Sequence, residues 1–571
     1  MSDERAGQAA ARLPVVLLWH MHQPQYRDAS TGEYVLPWTY LHAIKDYADM
    51  AAHIEDNPAA RAVVNFTPVL LEQLEEYGQR AAACLRGDGP PGDAVLATLT
   101  AAPLPAEPAP RAALARALLR AHRLNLIERF EPYAEAARAV ESLLAAGRIE
   151  WASDALLHDL SAWYHLAWLG ETVRRADDRV PRLMSQGHGF SPAQRRELLA
   201  IIAELLAGIV PRYRALADAG RVELSVTPYG HPILPLLLDF GAARESQPGA
   251  VLPRHAEYPG GAQRAEWHVA ESIRVFRRFF GRDPQGCWPS EGAVSGPTLQ
   301  LLERHGLRWA ATGGSVLHGS FASRGESPVE SDVAYALPEA NLACFFRHDG
   351  LSDAIGFEYA RWHGDDAAAN FAHELGLLAE RYAGDPRRCV LVALDGENAW
   401  EHYPCNGYYF LRGLYAALAA HPRLELTTLS EVLDRDPGRA RLPAVVAGSW
   451  VHGTLSTWMG DPDKNAAWDL LCEAKRTFDA AVGALSAAEA EAAGRQLALC
   501  ESSDWFWWFG DYNPAEAVAQ FDDLYRRQLA TLYRLLHLEP PDSLMRPISI
   551  GRRAGAGRTA EGGGTMRRAH D

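Results

Sequence analysis

Short apolar runs recur along the chain, each ending in polar or unusual residues: VVLLWH (15–20), AVVNFT (62–67), VELSVT (222–227), GCWPSE (286–291), RWAATG (308–313), ACFFRHD (343–349) and VLVALDGE (390–397). A further run, LELTTL, lies at 424–429. Such runs read as strands buried on both faces. Helix-like segments stand between them, such as LQLLERHG before RWAATG and AAANFAHELGLLAERYAG before VLVALDGE. Apolar strands alternating with helices predict an α/β chain with a mainly parallel sheet or barrel. In barrels of this kind the chemistry sits at the C-terminal ends of the strands. That is where the sequence puts His20, Glu291, Arg347, Asp349 and Asp395.

The spacing is uneven. About 155 residues separate the second run from the third, far more than one crossover helix requires. This stretch is rich in Ala, Leu and Arg and predicts a helical insertion over about 70–220. After about 435 the pattern turns helical, as in KNAAWDLLCEAKRTFDAAVGAL and AEAVAQFDDLYRRQLATLYRLL, which predicts a C-terminal bundle. The expected organisation is a disordered N-terminus (1–13), a catalytic barrel with its insertion (14–435), a helical domain contributing to the active-site cleft (436–545) and a Gly/Arg-rich disordered tail (546–571).

Composition narrows the function. Apolar residues make up 48% of the 571, enough for a sizeable core, and the net charge is −16. That field repels phosphate backbones, so no nucleic-acid partner is expected. The seven cysteines are scattered with no CxxC pair, which indicates neither a disulfide framework nor a thiolate zinc site. MSDERAGQAAARLP lacks the apolar core of a signal peptide, and VVLLW is too short to cross a bilayer. The expectation is a cytoplasmic protein with no membrane partner and no cofactor.

The strand ends supply the candidate chemistry. In WHMHQP, His20 and His22 are two apart, so both face one side if the strand continues. In VLVALDGENAWEHYP an apolar strand delivers Asp395, followed by Glu397, Trp400, Glu401 and His402. A carboxylate at a buried strand end is costly to desolvate unless it has partners or a chemical role. Glu291 in GCWPSEGAVS is the second carboxylate, with Trp288 beside it, and His231 lies in the loop after VELSVT. Arg347 and Asp349 suit either a structural ion pair or ligand contacts. The chain holds 16 Trp, several in loops rich in Gly, Asp and Ser, among them Trp450 and Trp458. Sugar rings stack on aromatic faces while polar groups bond their hydroxyls. Two carboxylates, several His and many Trp therefore point to glycosyl transfer or hydrolysis, which requires no metal. The competing reading is a metal-dependent hydrolase built on His20, His22, His231 and Asp395. It gives Glu291 and the Trp no role.

The motifs resemble those of glycoside hydrolase family 57. WHMHQP, ELSVTPYGHPILP, GCWPSEGAVS, LVALDGENAWEHYP and WVHGTLSTWMGDPDKNAAW stand in the family's order from about residue 14 to 512. The resemblance implies an incomplete (β/α)7 barrel followed by a helical domain, and a retaining mechanism on α-glucans. By motif position Glu291 would be the nucleophile and Asp395 the general acid/base. His20, His22 and His231 would hold sugar hydroxyls, and Trp288, Trp450 and Trp458 would line subsites. Arg347, Asp349 and Trp400 complete the substrate-binding candidates. The wording is most similar to the α-amylase and amylopullulanase-like members; 4-α-glucanotransferases and branching enzymes share the catalytic pair. One departure stands out. Where such proteins usually carry an acidic pair after a Thr, this chain reads ATGGSVL, with Gly313 and Gly314.

Overall fold

The computed structural model describes residues 12–327, 330–338 and 340–551. The ten strands among them form one sheet: β1 (Leu13–Met21), β2 (Ala62–Phe66), β3 (Val222–Val226), β4 (Gly286–Cys287), β5 (Trp309–Thr312), β6 (Tyr335–Ala336), β7 (Ala343–Phe346), β8 (Val390–Asp395), β9 (Leu424–Leu426) and β10 (Ala440–Arg441). Seven of them form the frame, in the parallel order β8-β1-β2-β3-β4-β5-β7. A single parallel bridge between Arg347 and Leu391 joins β7 to β8, with the His348 N–H donating to the Leu391 carbonyl at 2.7 Å. The frame is also thin at β3 and β4, which share only the pair Val226–Cys287. Pro289 follows β4 closely, and a residue without an N–H cannot extend a ladder. This is the expected incomplete (β/α)7 barrel. All eight apolar runs contain a strand. The pattern missed β6 and β10, two residues each, too short for any periodicity.

Alternation along the strands explains where the core ends and the site begins. Val16, Leu18, Val63, Trp309, Ala311, Ala343, Phe345, Leu391 and Ala393 pack together with Trp288 as one cluster inside the barrel. Their neighbours Val15, Leu17, Trp19, Val64, Val390, Val392 and Leu394 belong to the outer core under the helices. Since side chains alternate with period two, the next inward positions are His20 on β1, Asn65 on β2, Gly313 after β5, Arg347 after β7 and Asp395 on β8. The barrel is filled by apolar layers and capped by a polar one.

The long gap between β2 and β3 is helical. Its two longest helices, α1 (Pro68–Arg86) and α2 (Pro192–Asp218), pack on each other. Beyond the barrel come α3 (Pro462–Ala481), α4 (Ala487–Cys500), α5 (Ser503–Trp508) and α6 (Ala515–Leu535). The aromatic run WFWWF (505–509) is core here: Phe506 stacks on Trp468 with centroids 4.3 Å apart, and Trp508 on Phe521 at 4.6 Å. Two expected boundaries move. Leu13 already belongs to β1. Residues 546–551, assigned to the tail, pack on the helical region, where the Ile548 and Ser549 N–H groups donate to Asp522. Residues 1–11 and 552–571, where disorder is expected, lie outside the described residues. No helix among the described residues is long and apolar enough to cross a membrane.

Candidate functional site

Glu291 reaches the barrel mouth through strained backbone. It sits in the turn Ser290–Gly292 at φ 57°, ψ 24°, a left-handed conformation that costs a non-glycine residue on the order of 1–2 kcal/mol. Its neighbours hold it there. The Gly292 N–H donates to Pro289 O, the Ala293 N–H to Ser290 O, and the Trp450 N–H to Glu291 O at 3.2 Å. His231 is strained in the same way, at φ 59°, and is held by its N–H to Pro228 O and by Ser503 N–H to its own carbonyl. Such strain concentrates at functional sites, where the surroundings over-determine it.

The three histidines are gathered and their tautomers follow from their partners. Asn65 Nδ2 donates to Ser225 Oγ, so Asn65 Oδ1 is an acceptor, 2.7 Å from His20 Nδ1. His20 Nδ1 therefore carries the proton and His20 Nε2 accepts from His231 Nε2 at 3.2 Å. That leaves His231 Nδ1 to accept from Ser503 Oγ at 2.7 Å. Burial first, then the charge of neighbouring His22, pushes His20 down to about 3; burial, His22 and His20 lower His231 as well. Both stay neutral at physiological pH. His22 donates through Nε2 to both oxygens of Asp504 at 3.0 Å.

Ser503 and Asp504 come from α5, in the C-terminal helical region. Just before α5, buried Glu501 accepts from Arg264, His268 and Tyr258 of the barrel side at 2.6–3.0 Å. Burial opposes its charge, but Arg264 and His268 prevail and hold the carboxyl down to about 2. This ion network fixes α5 over the histidines. Sequence reasoning did not select Asn65, Glu397, Ser503 or Asp504 as site residues. Asn65 was findable as the inward position after Val63.

The carboxyl groups are shifted upward by burial. Glu291 is pushed up to about 8 by burial, then by Asp395's charge, against the hydrogen bond from Trp450. Burial pushes Asp395 up to about 6, against the donor Asn398 Nδ2 at 2.8 Å and the charges of His22 and Arg347. Glu397 is 2% exposed; its Oε1 accepts from the His22 N–H and Gln23 Nε2, both at 3.2 Å. Burial and Asp395 raise it well above the usual carboxyl range. Between about 6 and about 8 these shifts leave the proton on Glu291 and Asp395 charged, so the form with Glu291 charged and Asp395 protonated is the minor one. Acid/base chemistry by such a pair needs one proton on it. We expect kcat/KM to be bell-shaped, rising through about pH 6 and falling above about pH 8. A profile flat across that interval and beyond it would contradict the singly protonated pair.

Other candidates are placed differently from expectation. Arg347 is 7% exposed and bonds Asp349 at 3.0 Å, Asp353 at 2.6 Å and the Ala393 carbonyl at 2.8 Å. Asp349 accepts from the N–H groups of Gly314 and Ser315. Their ion pair closes the β7 end, with Arg347 buried and the Asp349 side chain partly exposed. Trp400 is a core residue, 1% exposed, edge-on to Trp19 and donating to the Gly396 carbonyl. Its position in the first turn after β8 points it under the loop. Trp288 and Trp458 are fully covered, whereas Trp450 is half-buried. An open cleft of about 530 Å³ on the helical insertion, lined by Phe130, Trp163 and Arg174 among others, contains none of the candidates.

Among the described residues one set, His22, His231 and Asp504, brings potential metal-ligand atoms within 4.8 Å of one another. The rings do not suit a metal. His22 and His231 stack with centroids 3.7 Å apart and planes 15° from parallel. Their in-plane lone pairs run side by side instead of converging on one point, as tetrahedral ligation at about 2.0–2.1 Å requires. Both nitrogens of His231 are already hydrogen-bonded. The metal-hydrolase alternative does not fit this arrangement.

The family model for glycosyl hydrolase family 57 matches residues 16–445. Among solved structures, the chain is similar to a GH57-type branching enzyme from Pyrococcus horikoshii, at 16% identity and TM-score 0.58, over 92% of this chain and 89% of that one. A GH57 branching enzyme from Thermococcus kodakaraensis matches at 16% identity and TM-score 0.55, covering 92% and 90%. The α-amylase AmyC from Thermotoga maritima matches at 14% identity and TM-score 0.52, covering 92% and 94%. No curated protein matches the chain.

Proposed function

The chain belongs to glycosyl hydrolase family 57, and from that premise we propose that it cleaves α-glucosidic links in α-glucans with retention of configuration. Glu291 attacks the anomeric carbon while Asp395 gives its proton to the leaving oxygen. Asp395 then takes a proton from water, which opens the glycosyl–Glu291 ester and regenerates both groups. The observation that carries this reading is the carboxyl pair itself: two groups from different strand ends meet at one barrel mouth, near enough for the charge of Asp395 to raise Glu291. His22, held through Nε2 by Asp504, keeps Nδ1 without a partner among the described residues and is the ring that suits a hydroxyl of the sugar at the cleavage point, with His20 and His231 packed behind it. The names of the similar structures, two branching enzymes and an α-amylase, support an α-glucan over other glycans. We favour hydrolysis, as in α-amylase and amylopullulanase-like members, in a cytoplasmic setting. A sugar hydroxyl replacing water in the second step would make the same pair a glucanotransferase or branching enzyme.

The test is the product profile from maltoheptaose, then from pullulan, with EDTA present. Shorter oligosaccharides with new reducing ends are the expected result. Products longer than the substrate, with reducing ends unchanged, would replace hydrolysis by transfer. No change in either substrate would overturn the α-glucan reading.

A further inference from the structure

Trp450 holds Glu291 twice, once through its backbone N–H and once through its indole, whose Nε1 donates to Glu291 Oε2 at 3.0 Å. The segment that brings it there runs alongside the Glu291 turn. Gly448 and Val294 exchange backbone hydrogen bonds of 2.9 and 3.1 Å. The indole is then wedged between the edge of Trp288, 5.0 Å away between centroids, and the Arg347 guanidinium, 5.6 Å from the ring centroid. Arg347 is itself tied to Asp349, Asp353 and the Ala393 carbonyl, so this wall is rigid.

What permits so close an approach is the missing side chain at position 313. A Cβ there would stand 2.6 Å from Trp450 Cα and 3.2 Å from its Cβ. The backbone at Gly313 is ordinary, with φ −72° and ψ 149°, so any residue could adopt it; space alone demands glycine. The obstacle would be backbone, which cannot swing aside as a flexible side chain would. The neighbouring Gly314 is equally enclosed: a Cβ would lie 2.8 Å from Arg347 O and 2.9 Å from Asp349 Oδ2. Gly313 is thus the floor on which the Trp450 segment rests, while Gly314 seats the Arg347–Asp349 end of β7.

We propose that Gly313 and Trp450 act together as a positioning device for Glu291: the absent side chain at 313 seats the indole, and the indole N–H holds Oε2, leaving Oε1 to attack. This rests on the reading of Glu291 as nucleophile. The hydrogen bond also favours the charged form of Glu291, the form that attacks, against the burial and the Asp395 charge that hold its proton on. Trp450 then does more than present a face to a sugar ring.

Trp450→Phe keeps a ring between Trp288 and Arg347 and removes only the donor. We expect kcat to fall ~10–100-fold, the usual scale for a hydrogen bond to a charged group. KM should change little, and the limb of the pH profile governed by Glu291 should move to higher pH. Gly313→Ala should give the same signature by displacing the indole, and the double variant should be no worse than the worse single one. If Gly313→Ala does not fold, Trp450→Phe decides alone. A Trp450→Phe enzyme that loses only in KM, with both pH limbs in place, would overturn the proposal and leave a sugar platform. Glu291→Gln measured alongside separates the two levels: if that variant still turns over, the nucleophile reading has failed, not merely the positioning device.

Discussion

Glu291→Gln should lose about 10⁴- to 10⁶-fold in kcat, the range seen when a covalent nucleophile is removed, while oligosaccharide binding survives. The amide is the same size, and its oxygen can still accept from the Trp450 indole. What it cannot do is carry the charge that attacks the anomeric carbon. The loss must be separated from unfolding, and the electrostatics supply the control. Burial raises Glu291 from 4.5 to about 8. The folded protein therefore keeps this proton where the unfolded chain has released it, and the stability that this carboxyl contributes at low pH is lost as pH rises from about 4.5 to about 8. Glutamine does not ionise. The variant should melt at a higher temperature than the wild type at pH 8, with the difference shrinking towards pH 4.5. A dead variant with a raised melting temperature at pH 8 identifies a functional carboxylate. A dead variant with a lowered one at every pH identifies a structural role instead.

Asp395→Ala should lose about 10²- to 10⁴-fold on natural α-glucans, the scale of general acid/base catalysis. The loss should depend on the leaving group. α-Glucosyl fluoride hardly needs a proton to depart, so its first step should proceed. Without a base to activate water, the glycosyl-enzyme accumulates. Azide, which needs no base, should then restore turnover and give α-glucosyl azide, since two inversions return the original configuration. Formation of the β-azide would mean that Asp395 was the nucleophile and that the two carboxyl roles are reversed. No rescue with either anomer would remove Asp395 from the chemistry.

Much of this architecture was legible because buried parallel strands are long apolar runs, and each of the eight runs contains a strand. The polar layer was legible for the same reason. Where a run such as VVLLWH or VLVALD breaks into His20 or Asp395, the period-two alternation that fills the barrel delivers the next side chain to its mouth. Asp504 was not legible as a site residue. It lies 482 positions from His22, beside an aromatic run whose pattern suits a core or a sugar platform equally, and no local rule pairs two such segments. Trp400 failed in the opposite sense. Its company of acids and His suggests a site, but its indole turns back to the Gly396 carbonyl and Trp19. The Gly313–Gly314 pair reads in sequence as a loss of function-bearing side chains. The role of Gly313 is set by an approach from residue 450, which only the folded chain shows.

Everything proposed for this site turns on Glu291 forming the covalent link to sugar. The most direct measurement is to incubate the enzyme with a 5-fluoro-α-glucosyl fluoride and map the labelled peptide by mass spectrometry. Ring fluorine slows both steps by destabilising positive charge at the anomeric carbon, while the fluoride leaving group spares the first, so the intermediate should persist. One glucosyl-sized adduct is expected, on Glu291, in the peptide containing GCWPSEGAVS. An adduct on Asp395 or elsewhere, or no adduct together with products of inverted configuration, would contradict it.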